Sequence, residues 1–511
     1  MNQQLPKTLR PENTAPISLS ALATHFGLAT PSQDASLTGI TMNTADCQPG
    51  DLFVAMPGAK THGAEFISKA ISLGAVAIAT DTAGLTHTKD LSVPVLLVEN
   101  PRTRLGELAA FVYGNLPGKM PILFGTTGTN GKTSTTYLLD AILRQLGEVT
   151  GFSSTAERHI AGEVVTSKLT TPEATEMHAL LARMREKKVS AAGIEVSAQA
   201  LTHHRVDGLV FDVAGFTNLS HDHLDDYGDM KRYLAAKADL FTKQRAKKAV
   251  ICLDSIYGKE VVEKSEVPTV TLTSELGVEA NWHVAVTAEN PMFTSFVLAG
   301  PDGVTIRSRV PLLGKHMVAN AALAIVMLVE AGFDANKISK AIANGIDAYL
   351  PGRIERVSGD TGPTLYVDFG HSPDAFLQTL EAVRKVTDGK LIMVFGAAGN
   401  RDTTKRQSMA EIAAAGSDIV VVTDYHSRDE DPDSIRASLE GFARAAYPKR
   451  ELYNISPPEA AIRKAVSLAT TGDAILWAGP GHQDYREVNG ARVSSSARQE
   501  AREALKEHGW S

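Results

Sequence analysis

The segment Gly125-Thr126-Thr127-Gly128-Thr129-Asn130-Gly131-Lys132-Thr133 holds the sharpest chemical signal of the chain. It stands between an apolar run, Ile122–Gly125, and a helical pattern over Thr133–Leu146. A loop of small residues between strand and helix can turn successive backbone N–H groups toward phosphate oxygens. The helix adds the positive end of its dipole. Lys132 would reach the β- and γ-phosphates of ATP, and the Thr133 hydroxyl would ligate Mg²⁺. Thr126 stands where the strict G-x-x-x-x-G-K-[ST] pattern has its first glycine, while Gly128 and Gly131 supply permissive positions. The competing reading is a Gly/Thr-rich turn carrying an exposed lysine; the order strand, loop, Gly-Lys-Thr, helix favours the phosphate loop.

Such a loop needs a parallel sheet behind it. Around it, Ala191–Val196 and Ala249–Leu253 read as further short strands separated by helices, which predicts a mainly parallel sheet covered on both faces. Before it, Leu52–Met56, Val76–Ala79 and Val95–Val98 alternate with helical patterns such as Ala64–Leu73, and residues 1–16 read as a loose arm. After Pro351-Gly352, the runs Leu391–Phe395, Ile419–Thr423 and Ala474–Trp477 each enter a polar or Gly-rich loop, a doubly wound pattern whose ligands sit at strand carboxyl ends. The expected architecture is therefore α/β in three domains. Residues 1–118 form a smaller α/β domain, 119–350 a P-loop ATPase-like central domain, and 351–511 a Rossmann-like domain.

Composition narrows the class. The 511 residues suit about three domains of roughly 150 each. Apolar residues make up 43% and charged residues 21%, which argues for a globular chain rather than disorder. With 51 Lys+Arg against 58 Asp+Glu the net charge is −7, so no field exists to track nucleic-acid phosphates. Two cysteines, Cys47 and Cys252, exclude a disulfide scaffold and a four-thiolate zinc site, and fit a reducing compartment. Neither a signal pattern nor a membrane-spanning apolar run is present, so the expected setting is cytoplasmic.

The loop T-G-T-N-G-K-T resembles that of the Mur ligases, ATP-dependent amide-bond formers of bacterial cell-wall synthesis. Further resembling blocks span nearly the whole chain. They include Gly50–Ala55, Glu195-Val196-Ser197, Asn218–Asp225, Ala236–Phe241, Pro351-Gly352-Arg353, Asp368–Asp374, Gly399–Asp402 and Gly479–Tyr485. The resemblance is nearest to the branch that joins the third amino acid to UDP-N-acetylmuramoyl-L-alanyl-D-glutamate. It implies a monomer that takes that nucleotide dipeptide, a free amino acid, ATP, Mg²⁺ and CO₂, the last held as a lysine carbamate. The sibling ligases, folylpolyglutamate and cyanophycin synthetases, share the central loop but lack the look of the Thr44 and Gly50–Ala55 segments. A non-catalytic ATP-binding regulator would be expected to have lost Thr133, Glu195, His221 or Lys237.

Roles follow residue by residue from the resemblance. ATP is expected at Gly125, Thr127, Gly128, Thr129, Asn130, Gly131, Lys132, Thr133 and Ser134, with Asn320 toward adenine and Arg353 and Asp368 arriving from the third domain. For the last two an interdomain ion pair is the alternative. Metal ligands would be Thr133, Glu195, His221 and carbamylated Lys237, and Lys132, Lys237 and His221 form the catalytic set. Taken alone, Lys237 would be a solvated helix lysine and His221 a hydrogen-bonded loop histidine. A carbamate requires neutral amine, hence a lysine pKa lowered by burial or neighbouring cations. The nucleotide substrate is expected at Met42, Thr44, Ala59, Lys60, Thr61, Thr170, Thr171, Ser197, His203 and Arg205. Leu169, Gln199 and His203 depart from the family's Asn, His and Gln.

The incoming amino acid is expected at Arg401, Arg428, Gly479 and Gln483. Diaminopimelate ligases carry D-N-P-R, whereas this chain reads Tyr425-His426-Ser427-Arg428; the family's G-K-G-H-E becomes Gly479-Pro480-Gly481-His482-Gln483. Losing that glutamate weakens a contact to a distal ammonium by about 1–3 kcal/mol unless Asp424, Asp429 or Asp484 compensates. The expectation therefore leans to L-lysine or L-ornithine, with meso-diaminopimelate next because Arg428 survives.

Overall fold

The computed structural model describes residues 9–58 and 60–511. Residues 1–8, the start of the expected arm, and Ala59 lie outside the described residues. Among the described residues, three larger sheets follow one another along the chain, beside two two-stranded ones. The first is parallel, in the order Gly39–Thr41, Asp51–Ala55, Ala77–Thr80 and Val95–Leu97. Its helices include Pro101–Val112, which packs with the helix Ala174–Glu186 of the next part of the chain.

The central sheet has 11 strands. Its parallel part runs Thr150–Ser153, Ala191–Glu195, Ile122–Thr127, Val213–Phe216, Ala249–Cys252, Thr269–Thr273 and Trp282–Asn290. Antiparallel hairpins extend both ends: Glu157–Ile160 with Glu163–Thr166 on one side, Phe293–Ala299 with Thr305–Val310 on the other. Sequence reading did not anticipate these, because such strands alternate rather than run apolar: Thr305–Val310 alternates exposed and buried residues. The strand carrying the phosphate loop lies inside the parallel part, paired on both sides. The helix Lys132–Gln145 packs on it together with Lys315–Glu330, whose residues from Ala321 to Leu328 are all buried. Packing between the helix Lys132–Gln145 and the sheet explains why that apolar helix alternates so little.

The third sheet orders Thr364–Asp368, Ala474–Ala478, Leu391–Phe395, Ile419–Val422 and Glu451–Asn454 in parallel, with Glu355–Arg356 antiparallel at the edge. The last parallel strand, Ala474–Ala478, returns between Thr364–Asp368 and Leu391–Phe395, the kind of order change at whose strand carboxyl ends doubly wound sheets hold ligands. Among the described residues no helix is long and apolar enough to cross a membrane.

The arm expected to be loose is tied down from Arg10 onward. Arg10 Nη1 donates to Asp51 Oδ1 at 2.6 Å and Nη2 to the Asp46 carbonyl at 2.8 Å. The backbone N–H groups of Glu12 and Asn13 donate to Glu186 at 2.9 Å each, so the segment straps the first sheet to the central domain. Asp51 is 1% exposed, and removing its partner would strand a buried carboxylate. Arg10→Met should therefore destabilise the first domain by roughly 3–5 kcal/mol. Calorimetry should show an earlier first unfolding transition; an unchanged thermogram would contradict this account.

Candidate active site

The phosphate loop closes over two lysines. Lys132 Nζ donates to the carbonyls of Gly128 (3.0 Å) and Thr129 (2.8 Å). Lys237 Nζ donates to the same Gly128 carbonyl at 2.7 Å and lies 4.5 Å above the Tyr233 ring. Lys237 is buried because the helix Met230–Ala238, capped by the Asp229 side chain, turns Tyr233, Leu234 and Lys237 inward beside small Ala236 and Ala238. Burial lowers the Lys132 ammonium pKa against the opposing pull of Glu195 and Asp222. Burial and then the charge of Lys132 push Lys237 well below its ordinary value.

Glycine is required at two positions of the loop. Gly128 has φ +150 and a Cβ there would fall 1.8 Å from Thr217 Oγ1; Gly131 has φ +86 and its Cβ would fall 2.4 Å from Asn320 Oδ1. Asn320 is thus seated against the turn that starts the helix. Gly125 and Thr127 lie in the strand below, both buried.

Glu195 ends its strand 2% exposed. Its carboxylate accepts from Thr133 Oγ1 at 3.0 Å and from the Thr155 backbone N–H at 2.8 Å. Thr155 Oγ1 lies 3.0 Å from both Glu195 Oε1 and Thr170 Oγ1. A carboxylate cannot donate, so the Thr155 proton serves Glu195 and Thr170 supplies the other bond. Thr171 Oγ1 donates to the Glu195 carbonyl at 2.8 Å and accepts the Ser197 N–H at 3.1 Å.

The third domain meets this cluster directly. Arg353 Nη2 donates to Thr133 Oγ1 at 3.1 Å, and its guanidinium stacks 4.3 Å from the Phe369 ring centre. Asp368 makes no direct contact with Arg353; its oxygens accept the N–H groups of Ile354 (2.9 Å) and Gly370 (2.7 Å), and burial raises its carboxyl against the pull of Arg353. Asn130 Nδ2 donates to Asp374 at 3.0 Å. Lys405 Nζ reaches Asp222 Oδ1 at 3.0 Å, both side chains buried. Burial opposes ionisation of Asp222, but Lys405, then His371 and His223, hold its carboxyl far below the usual range.

Between these walls lies a cavity of about 280 Å³. Thr129 to Ser134, Thr155, Thr170, Glu195, Ser197, Asn320, Arg353 and Asp368 line it, with Gln199, Asp222 and His223 at one side. His221 does not line it. Its Nε2 turns to Asp402 Oδ2 (3.2 Å) and Thr404 Oγ1 (3.3 Å) of the third domain. His223, two residues on at φ +56, lines the cavity together with His316 and His371, and sits near Gln199 Nε2 at 3.4 Å. Sequence reading overlooked it. Both rings flank Asp222 in an irregular loop, where no periodicity says which one turns inward.

Of the remaining predicted residues, Ser197 lines the cavity and the others surround it or lie further off. His203 caps the helix Ala198–Thr202 at its end and is exposed, while Gln199 of that helix holds the cavity position. Arg205 Nε pairs with Glu173 at 3.0 Å, and Ser197 Oγ caps its helix through the Ala200 N–H. In the first domain, Met42 packs on the core, Thr44 opens a 3-10 turn, Lys60 is exposed and Thr61 bonds to Glu65. Arg401 is half-exposed with Asp225 3.9 Å away. Gly479 has φ +116 and donates its N–H to the Asp368 carbonyl at 2.9 Å. Arg428 and Gln483 sit in a separate network of the third domain.

Comparison with known proteins now adds to this geometry. Residues 36–113 match the Mur ligase family catalytic domain, 126–328 the Mur ligase middle domain and 352–481 the Mur ligase glutamate ligase domain. The UDP-N-acetylmuramyl-tripeptide synthetase of Leifsonia xyli subsp. xyli is 52% identical, with 100% of both chains covered. The chain belongs to the Mur ligase family. This Mur ligase is an ATP-dependent amide ligase of cell-wall synthesis. It is 43% identical to the UDP-N-acetylmuramoyl-L-alanyl-D-glutamate--2,6-diaminopimelate ligase of Streptomyces avermitilis, over 98% of each chain. A solved UDP-N-acetylmuramoyl-L-alanyl-D-glutamate--2,6-diaminopimelate ligase superposes with TM-score 0.66 at 25% identity, covering 97% of this chain and 100% of that one. The MurF ligase of Thermotoga maritima in complex with ADP superposes with TM-score 0.62 at 18% identity, covering 92% and 97%. That likeness shows the shared fold.

Because Gly131 abuts Asn320 at positive φ, Gly131→Ala should displace one of them. We expect affinity for a fluorescent ATP analogue to fall at least about tenfold, a loss of roughly 1.4 kcal/mol, with the circular dichroism spectrum retained. Undiminished affinity would show that the turn does not touch the nucleotide.

Proposed function

We propose that this Mur ligase joins a diamino acid, as third residue, to UDP-N-acetylmuramoyl-L-alanyl-D-glutamate at the expense of ATP. The observation that carries the reading is the cluster of Lys132, Thr133 and Glu195 lining a cavity that Arg353 and Asp368 close from another domain, with buried Lys237 bonded beside it to the loop's Gly128 carbonyl. The proposed reaction transfers the γ-phosphoryl group of ATP to the terminal carboxylate of the dipeptide, releasing ADP. The amino group of the incoming amino acid then attacks the acyl carbon, loses a proton and expels phosphate.

This chain's residues supply positioning and charge for both steps. Lys132 and the loop N–H groups hold the phosphates, Asn320 borders the nucleotide, and Arg353 brings a second cation over Thr133. Thr170, Thr171, Ser197 and Arg205 would orient the muramoyl dipeptide, and Met42, Thr44, Lys60 and Thr61 the uridine side, within the division 1–118, 119–350 and 351–511. Arg401 would hold the α-carboxylate of the amino acid.

The donor set suits Mg²⁺. Thr133 Oγ1 and Glu195 are oxygen ligands 3.0 Å apart, with His223 on the same cavity wall. The metal would neutralise the phosphates and bring the two anions together. Lys237 fits a carbamate, since burial and then the charge of Lys132 push its amine toward the neutral form that carbamylation needs. Carbamylation would turn a surplus cation into a further oxygen ligand. ATP supply fits a cytoplasmic setting.

For the amino acid, the loss of the glutamate at Gln483 favours L-lysine or L-ornithine. Meso-diaminopimelate is the second reading, favoured by the retained Arg428 and by what the Streptomyces relative is named for.

Phosphate release from ATP–Mg²⁺ should require the nucleotide dipeptide and an amino acid together; release with ATP alone would count against a ligase. Lys237→Ala should abolish turnover while leaving the fold intact, and short carboxylic acids in solution should restore part of it. Wild-type activity in that variant would refute the carbamate.

A further inference from the structure

The residues that depart from the diaminopimelate ligase pattern lie in two segments far apart in sequence, yet they bond to one another. Tyr425 OH and His426 Nε2 both reach Gln483 Oε1, at 3.2 and 2.9 Å. His426 Nδ1 accepts the backbone N–H of Glu487 at 2.8 Å, so its proton sits on Nε2 and is donated to Gln483. Gln483 Oε1 is thereby filled, and its amide N–H₂ turns toward Tyr485 OH at 3.5 Å. A glutamate at 483 could accept the same two bonds but would bring a charge; the glutamine makes the network neutral.

Arg428 is likewise engaged. Its Nε donates to Glu487 Oε2 at 3.0 Å and Nη1 to the Gly399 carbonyl at 2.8 Å. Its backbone, at φ +50, is stitched to the hairpin Tyr485–Val488/Ala491–Ser494: Arg428 N–H donates to the Glu487 carbonyl at 3.0 Å and Asn489 N–H to the Arg428 carbonyl at 2.7 Å. Two of the acids that might have compensated for the lost glutamate are already in use. Asp424 bonds Arg436 and Ser456, and Asp484 bonds Ser496 and Arg498.

We propose that Glu487 is a specificity-determining positioning residue, an internal counterpart to the carboxylate that Arg428 would otherwise take from the substrate. The inference rests on the ligase reading above and narrows its amino-acid substrate. With Arg428 and Glu487 paired, their net charge is zero. A side chain ending in a second carboxylate gains no free cation, because Glu487 already offsets the Arg428 charge. A side chain ending only in an amine meets no unpaired guanidinium to repel it. The site therefore selects a diamino acid without a distal carboxylate, of the L-lysine or L-ornithine class, over meso-diaminopimelate.

The test measures kcat/KM for L-lysine, L-ornithine and meso-diaminopimelate with saturating ATP–Mg²⁺ and nucleotide dipeptide. In the wild type, L-lysine or L-ornithine should exceed meso-diaminopimelate at least tenfold. Glu487→Gln should shift that ratio at least tenfold toward meso-diaminopimelate, mainly through KM, while Glu487→Asp keeps the wild-type order. Taking the ratio on one preparation cancels any loss of folded enzyme, and the wild-type ratio decides alone if the variant does not fold. A wild type that prefers meso-diaminopimelate, or a ratio unmoved in Glu487→Gln, overturns the proposal and leaves the ligase reading standing. Ligation of no amino acid at all would overturn both.

Discussion

Two lysine amines converge on one backbone carbonyl, that of Gly128. Bringing both out of water is costly as long as they are protonated, and the low local dielectric sharpens their mutual repulsion. The fold answers in two ways. It depresses both pKa values, Lys237 furthest, and it surrounds the pair with Glu195 and Asp222. Arg353 then adds a third cation from the opposite wall. A site with this charge balance is built to receive anions, and its geometry sets what the surrounding elements must do.

What they do is hold three short segments at fixed separations. The central strand Ile122–Thr127 is paired on both sides, so the loop leaving its end starts from a rigid point. The helix Lys315–Glu330 packs against the loop's helix and presents Asn320 to the turn at Gly131, where a side chain would collide with it. The neighbouring strand ends at Glu195, within reach of Thr133. The third sheet contributes through its strand ends and the loops that follow them: Asp368 closes one strand, and Phe369, Gly370 and His371 continue it into the cavity wall. The cavity wall is thus drawn from strand ends and helices of two domains rather than from any one of them.

The phosphate loop and the parallel strands around it were legible in the sequence because their signal is contiguous: an apolar run, glycines, a lysine and a helix follow in order. The antiparallel hairpins were not, since Thr305–Val310 alternates its burial and carries no apolar run. Lys237 sits in a helical pattern that reads as solvent-facing; its burial depends on Tyr233 and on a carbonyl 109 positions away. Which of His221 and His223 lines the cavity depends on backbone direction in an irregular loop, which residue spacing does not encode. The bond between Arg428 and Glu487 joins residues 59 apart through a hairpin, so the surviving arginine looked available when read alone.

The pair Lys405–Asp222 joins the central and third domains with both side chains near one-tenth exposed. Mobile ions screen charges that lie in solvent, over about 10 Å at 0.1 M salt, but penetrate poorly between buried ones. Arg401–Asp225, at the rim of the same boundary, is open to them. Raising the ionic strength would thus loosen the outer contact first and leave the inner clasp largely intact. Docking of the two lobes should consequently tolerate electrolyte far better than a count of its charged residues would suggest.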